Sequence, residues 1–265
     1  MIKVNGIIIK NTHFPDGTLS TKIKAESFCN AENLYPVVEW YYENNEEMAT
    51  LYFITMHLKE TYKDVALNLP YLPNARQDRV KKEEDVFYLK HFANFINSLG
   101  FSWVKIRDPH SAVSEALINN LIVESAEKYI REALKQCDPD VIFYPDEGAM
   151  KRYSSFAPME YTFGVKRRDW STGKIKGLDV MGDAKRISGK DVLIIDDICS
   201  KGGTFYQSAT KLKELGANNI YLYVTHCENT IFEGELLEEE DLIEHIYTTE
   251  SIFTGESEKI DIIKL

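Results

Sequence analysis

In the segment Asp191-Val-Leu-Ile-Ile-Asp-Asp-Ile-Cys-Ser-Lys-Gly-Gly-Thr204, an apolar run ends in two adjacent carboxylates, Asp196 and Asp197, and then a glycine-bearing turn. Val192 to Ile195 read as a buried strand, and Phe205, Ala209, Leu212 and Leu215 follow at helical spacing. A turn between a strand and a helix N-terminus offers backbone N–H groups and the positive end of a helix dipole to an anion. Gly202 and Gly203 let the backbone approach a phosphate closely. The two carboxylates are placed to hold ribose hydroxyls or a magnesium ion. An ordinary strand-to-helix turn with an acidic cap would need neither the paired aspartates nor the Gly-Gly-Thr.

A second cluster is cationic: Lys166, Arg167, Arg168, Lys174 and Lys176 fall within eleven positions of a chain whose net charge is -11. Such a cluster on an acidic background points to a small polyanionic substrate, while the overall charge speaks against general nucleic-acid binding. His110 stands apart from His57, His91 and His245, which lie in amphipathic stretches and read as structural. An Asp-x-His at a strand end can set carboxylate and imidazole around a magnesium-bound triphosphate. The four cysteines, Cys29, Cys137, Cys199 and Cys227, form no Cys-x-x-Cys pair and read as reduced thiols rather than zinc ligands or disulfides. Cys199 sits beside two aspartates, a poor setting for a nucleophile.

The elements that must position these residues alternate. Strands are expected at Val37–Trp40, Val65–Leu69, Trp103–Arg107, Val141–Tyr144, Tyr161–Val165, Val192–Asp196 and Ile220–Thr225, and helices at Glu47–Thr61, Val86–Leu99, Glu124–Gln136 and Thr204–Leu215. That order predicts an α/β fold of two tandem units with mostly parallel sheets and helices on both faces, divided near Ser111 to Ile122, as 1–115 and 116–265. Candidate ligand residues sit at strand carboxyl ends, where such folds bind. The acidic run Glu233 to Asp241 is expected to be a solvated helix face. Hydrophobic residues make up 44% of the 265, no apolar run approaches the ~20 residues of a membrane helix, and Met1-Ile-Lys-Val-Asn does not start a signal peptide. The cytoplasm is the expected compartment, with no membrane partner.

The Asp196 to Thr204 segment resembles the phosphoribosyl diphosphate motif of type I phosphoribosyltransferases and of ribose-phosphate diphosphokinases. Five further segments single out the second family: Phe14-Pro-Asp-Gly17, Pro70-Tyr-Leu-Pro-Asn-Ala-Arg-Gln-Asp-Arg79, Asp108-Pro-His110, Pro145-Asp-Glu-Gly148 and Lys166-Arg-Arg168. They resemble, in order, its adenine loop, ATP-binding signature, Asp-x-His element, diphosphate loop and mobile catalytic loop. The resemblance implies two phosphoribosyltransferase-like units, the first carrying the ATP loops and the second the diphosphate and ribose-phosphate loops. It implies Mg²⁺-dependent transfer of the β,γ-diphosphate of ATP to the anomeric hydroxyl of ribose 5-phosphate or, as in a phage branch of the family, of ADP-ribose.

Carried over residue by residue, Phe14, Asp16, Arg76, Gln77, Asp78 and His110 would bind ATP, Phe14 by stacking on adenine and Asp16 by accepting from its amino group. His110 and Asp146 would reach Mg²⁺. Asp146, Glu147, Gly148 and Ala149 would cradle the diphosphate, and Lys166 and Arg168 would stabilise the transition state. Asp196, Asp197, Ser200, Lys201, Gly202, Gly203 and Thr204 would hold the ribose phosphate. The adenine loop is borrowed between subunits in the family, which implies a homo-oligomer. Ser200 and Lys201 replace the usual Asp-Thr, making this subsite more cationic by about two charges on the sequence alone, which would suit an acceptor diphosphate. The chain also starts close to Phe14 and stops at Leu265, so the family's first strand and last helix are expected to be missing.

Overall fold

A computed structural model describes residues 1–28, 34–168, 175–181, 186–239 and 241–265, with the side chains of 166–168 and 175–178 outside that description. No helix among the described residues is long and apolar enough to cross a membrane. The chain forms two compact units, Met1–Glu124 and Ser125–Leu265.

The first unit contains β1 (Ile2–Val4), β2 (Ile7–Ile8), β3 (Asn11–His13), β4 (Leu19–Thr21), β5 (Val37–Trp40), α1 (Glu47–Thr61), β6 (Ala66–Leu69), α2 (Tyr88–Ser98), β7 (Val104–Arg107), α3 (Val113–Leu117) and β8 (Leu121–Glu124). Its sheet runs β2-β1-β5-β6-β7-β8, parallel from β5 to β8. At its other side β1 pairs antiparallel with β5, Val4 opposite Val38. β8 adds to β7 through Arg107 opposite Glu124, whose side chains form a buried pair at 2.8 Å. The first unit therefore runs to residue 124, where the sequence pattern had suggested a division after 115.

The second unit contains α4 (Glu127–Cys137), β9 (Val141–Tyr144), α5 (Glu147–Tyr153), β10 (Tyr161–Arg168), β11 (Ile175–Met181), β12 (Val192–Cys199), α6 (Gly203–Glu214), β13 (Ile220–Cys227), β14 (His245–Thr249) and β15 (Ile260–Ile263). Its sheet runs β11-β10-β9-β12-β13-β14-β15, all parallel except β11.

Alternation along β12 explains its fully apolar start. Val192 and Ile194 pack with Phe205, Ala209 and Leu212 of α6, while Leu193 and Ile195 pack with Tyr129, Ile130 and Ala133 of α4. Both faces are covered, so both must be apolar. Phe205 is 2% exposed, and truncating it to alanine would cost about 3–5 kcal/mol. The two units thus share the α/β class and parallel sheets expected from the sequence.

The acidic run differs from the expected helix face. Asn229–Glu233 and Glu235–Leu237 are short 3-10 turns that bury Ile231 and Leu236. Two apolar anchors flanking Gly234 fold the segment back on itself, which helix periodicity would not do.

Candidate active site

In the first unit, the turns after the neighbouring strands β6 and β7 meet. Asp78 is buried, and the Arg79 guanidinium takes both its oxygens at 2.7 Å. That bidentate pair holds the Asp78 carboxyl at about 2, with Ser111 and His110 lowering it further. Asp78 is thereby placed beside His110, at the carboxyl ends of two parallel strands. Arg76 and Gln77, expected to touch the nucleotide, are exposed. Their turn is fixed through its backbone: Gln77 N–H donates to the Asn74 carbonyl at 2.9 Å, and Asn74 takes the left-handed φ of 62°.

Phe14 and Asp16 lie at the tip of the β3–β4 hairpin. Asn11 Nδ2 donates to Thr50 Oγ1 at 2.6 Å, and His13 contacts Glu46 at 2.8 Å, so the hairpin is anchored on the start of α1. Asp16 Oδ1 accepts from the Thr18 N–H at 3.0 Å and its hydroxyl at 2.7 Å, which holds its pKa below the ordinary carboxylate value. That oxygen therefore shapes the turn. The Phe14 ring, 57% exposed, is presented outward.

In the second unit, β10, β9 and β12 are consecutive, so the ends of all three strands bring 166–168, 145–148 and 196–204 to one edge. Lys166 and Arg168, expected in a loop, end β10, where Lys166 pairs with Leu178 and Arg168 with Ile175 of β11. The period-two pattern Tyr161, Phe163, Val165 extends the strand through the basic residues. Their side chains, and all of Lys174, lie outside the described residues. Asp146 caps α5, accepting from the Ala149 N–H at 3.1 Å, and a Cβ on Gly148 would stand 3.1 Å from Asp146 Oδ1. Glu147 is exposed and pairs with Lys151 at 2.8 Å.

The two aspartates of β12 do not share a surroundings, because neighbouring strand residues point to opposite faces. Asp196 is half-buried, its Oδ1 accepting from the Asp197 N–H at 2.9 Å. Asp197 is only 6% exposed and takes Arg152 Nη1 of α5 at 2.7 Å. Of the two carboxylates read as a pair in the sequence, Asp197 is thus the enclosed one.

The turn that follows is braced from the far end of β13. Ser200 Oγ donates to Glu228 Oε2 at 2.7 Å and lies 3.1 Å from Thr230 Oγ1. Lys201 Nζ pairs with Glu233 at 2.9 Å. Gly202 caps α6 at φ 79°, a left-handed conformation, and a Cβ there would meet Leu236 at 2.8 Å. A Cβ on Gly234 would lie 1.8 Å from the Lys201 carbonyl oxygen, so only glycine allows the two backbones to touch. Gly203 and Thr204 open α6, whose first N–H groups have no partner within the helix.

The Lys201–Glu233 pair corrects the charge reading: the carboxylate of the neighbouring turn matches the extra cation. Arg152 and the 228–236 brace were absent from the sequence reading. Only Gly234, interrupting an otherwise helix-compatible run, gave a signal. Among the described residues no three of His, Cys, Asp and Glu gather as a metal site. Cys137, Cys199 and Cys227 are buried and free, and contact with Cys227 together with burial pushes the Cys199 thiol up. A nucleophilic role for Cys199 is thereby disfavoured.

No family model matches the chain. It is 29% identical over 238 residues to the ribose-phosphate pyrophosphokinase of Sulfurisphaera tokodaii, covering 85% of this chain and 78% of that one. It is 27% identical over 269 residues to that of Pyrococcus abyssi, covering 98% and 89%. The crystal structure of phosphoribosylpyrophosphate synthetase from Mycobacterium smegmatis superposes with a TM-score of 0.76 at 18% identity, covering 97% of this chain and 85% of that one, which shows the shared fold. Over most of its length the chain is therefore similar to ribose-phosphate pyrophosphokinases, and it shares the fold of a phosphoribosylpyrophosphate synthetase.

Proposed function

We propose that the protein transfers the β,γ-diphosphate of ATP to the 1-hydroxyl of ribose 5-phosphate, giving phosphoribosyl diphosphate and AMP. The observation that carries this reading is the Ser200–Thr204 turn, where a left-handed glycine opens a twelve-residue helix beside Asp196, in a chain similar to ribose-phosphate pyrophosphokinases. The sugar oxygen attacks the β-phosphorus in line. The bond from that phosphorus to the α,β-bridging oxygen breaks, AMP keeps the electron pair, and the hydroxyl proton passes to water. Such chemistry asks the protein for positioning and charge neutralisation rather than for a general base.

The N–H groups of Gly203 and Thr204 and the Thr204 hydroxyl are assigned to the 5-phosphate. Asp196 is assigned to the ribose diol, together with Asp197. The 146–149 turn is assigned to the transferred diphosphate, on the family resemblance, and Lys166 and Arg168 to the charge that spreads during transfer. Arg76 and Gln77 are assigned to ATP, with Asp78 holding the turn that bears them, and Phe14 of the β3–β4 hairpin is assigned to its base. On the family resemblance, His110 and Asp146 are each assigned to Mg²⁺ that arrives on phosphates, an ion that commonly keeps several waters rather than a cage made of protein alone. When bound, the ion would neutralise phosphate charge. The exposed Phe14 hairpin, anchored on α1, suits the adenine loop that the family lends between subunits, and a homo-oligomer follows.

ADP-ribose is the second acceptor reading, and it rests on Lys201. At 64% exposed, the Lys201–Glu233 pair opens at little cost, so the cation could turn to a diphosphate. Because Glu233 already matches Lys201, ribose 5-phosphate is favoured. Mass spectrometry after incubation with ATP, Mg²⁺ and either acceptor tests the choice: a diphosphorylated ribose 5-phosphate supports it, and a product with ADP-ribose alone overturns it.

A further inference from the structure

We propose that Arg152 is a positioning residue for the acceptor, acting through Asp197; this rests on the acceptor reading of β12. Asp197 sits on the face of β12 that carries Leu193 and Ile195, against α5, with Ala149 and Tyr153 of that helix also buried there. Into this apolar and aromatic wall the chain sets one carboxylate, 6% exposed, and one guanidinium, joined at 2.7 Å. The Arg152 ring-facing side lies over Tyr153, its guanidinium carbon 5.7 Å from the ring centroid, which fixes its approach. The pair is only partly buried, the Arg152 side chain being 27% exposed, and such a pair contributes little to stability. Its place is therefore better explained by what it orients. Arginine stays protonated, so its guanidinium holds the Asp197 carboxylate in one orientation. Through the Asp197 N–H, which donates to Asp196 Oδ1 at 2.9 Å, the same anchor also fixes the neighbouring carboxylate. A carboxylate has about four lone-pair directions, so an arginine on one side is compatible with a diol on another.

The test compares Arg152→Ala, Arg152→Lys, Asp197→Asn and the Ala/Asn double variant in steady-state kinetics with ATP, Mg²⁺ and ribose 5-phosphate, with thermal unfolding of each. Arg152→Ala is expected to raise the acceptor KM about tenfold or more, the size of a lost charge-assisted hydrogen bond, with the ATP KM within about twofold of the parent. Arg152→Lys should recover part of the loss, and the double variant should be no worse than the poorer single one. An unchanged acceptor KM in folded Arg152→Ala overturns the proposal, whatever its Tm, as does additivity in the double variant. A parent enzyme that does not use ribose 5-phosphate defeats the acceptor reading itself, and is seen before any variant is made.

Discussion

The Ser200–Gly202 turn of the second unit and the loops of the first that carry Phe14, Arg76 and Gln77 are built on opposite principles. Every residue from Ser200 to Gly202 is held by a contact to the 228–236 segment: a hydroxyl to Glu228, an ammonium to Glu233, and a left-handed glycine against Leu236. In the first unit Asp78 is fixed by Arg79 and Asp16 by Thr18, while Phe14, Arg76 and Gln77 are exposed. A phosphate is the same in every acceptor of this class, so its turn can be set in advance and costs no ordering on binding. On the proposed assignment, a flat base needs a ring that can come down on it, and Phe14, 57% exposed, keeps that freedom.

The sharpest way to break the contrast is Gly234→Ala. A methyl at that position collides with the Lys201 carbonyl, so the variant is expected to lose about 3 kcal/mol or to spring the Ser200–Gly202 turn out of place. Thermal unfolding together with acceptor titration reads both; a variant of unchanged Tm and acceptor affinity would mean the brace does not set the turn. Phe14→Ala should raise the ATP KM by about tenfold through lost base stacking, with Tm little changed because the ring is 57% exposed. A large drop in Tm would show instead that the hairpin tip is structural.

Asp78 gives a smaller effect with a defined sign. Its folded pKa of about 2 lies below the model-peptide value of about 3.9, so its pairing with Arg79 stabilises the fold fully above that value and is lost as pH falls towards 2. Unfolding of Asp78→Asn should accordingly differ from the parent at pH 6 and converge with it between about pH 4 and 2. A difference that stays constant over that range contradicts the pairing. Lys201→Thr is expected to matter least, changing efficiency with ribose 5-phosphate by less than about threefold, since an exposed pair contributes under 1 kcal/mol. If ADP-ribose were the acceptor, the loss with it would be one to two orders of magnitude, from about 1.5–3 kcal/mol.

What the sequence disclosed follows the same division. β12 and α6 were legible because burial on both faces writes a continuous apolar run and helical spacing into adjacent residues, and α1 was read at its observed bounds for the same reason. Where β10, β12 and β13 extend beyond the expected ends, the added residues include Lys166, Arg168 and Asp197, polar groups that no apolar pattern announces. α5 has seven residues and owes its start to the Asp146 cap rather than to periodicity. The brace was hidden because its partners are distant in sequence: Ser200 and Glu228 are separated by 28 positions. Asp196 and Asp197 read as a pair because adjacency in sequence hides the reversal of face between neighbours in a strand. The motifs lie at the carboxyl ends of the strands; the contacts that make those ends rigid belong to the fold.

The central claim is transfer of the terminal diphosphate to a sugar hydroxyl. Incubation with Mg²⁺, ribose 5-phosphate and ATP labelled with ³²P in either the α or the γ position tests it most directly. The γ label is expected to appear in phosphoribosyl diphosphate and the α label in AMP alone; γ label released as inorganic phosphate, with ADP as the nucleotide product, would contradict the account.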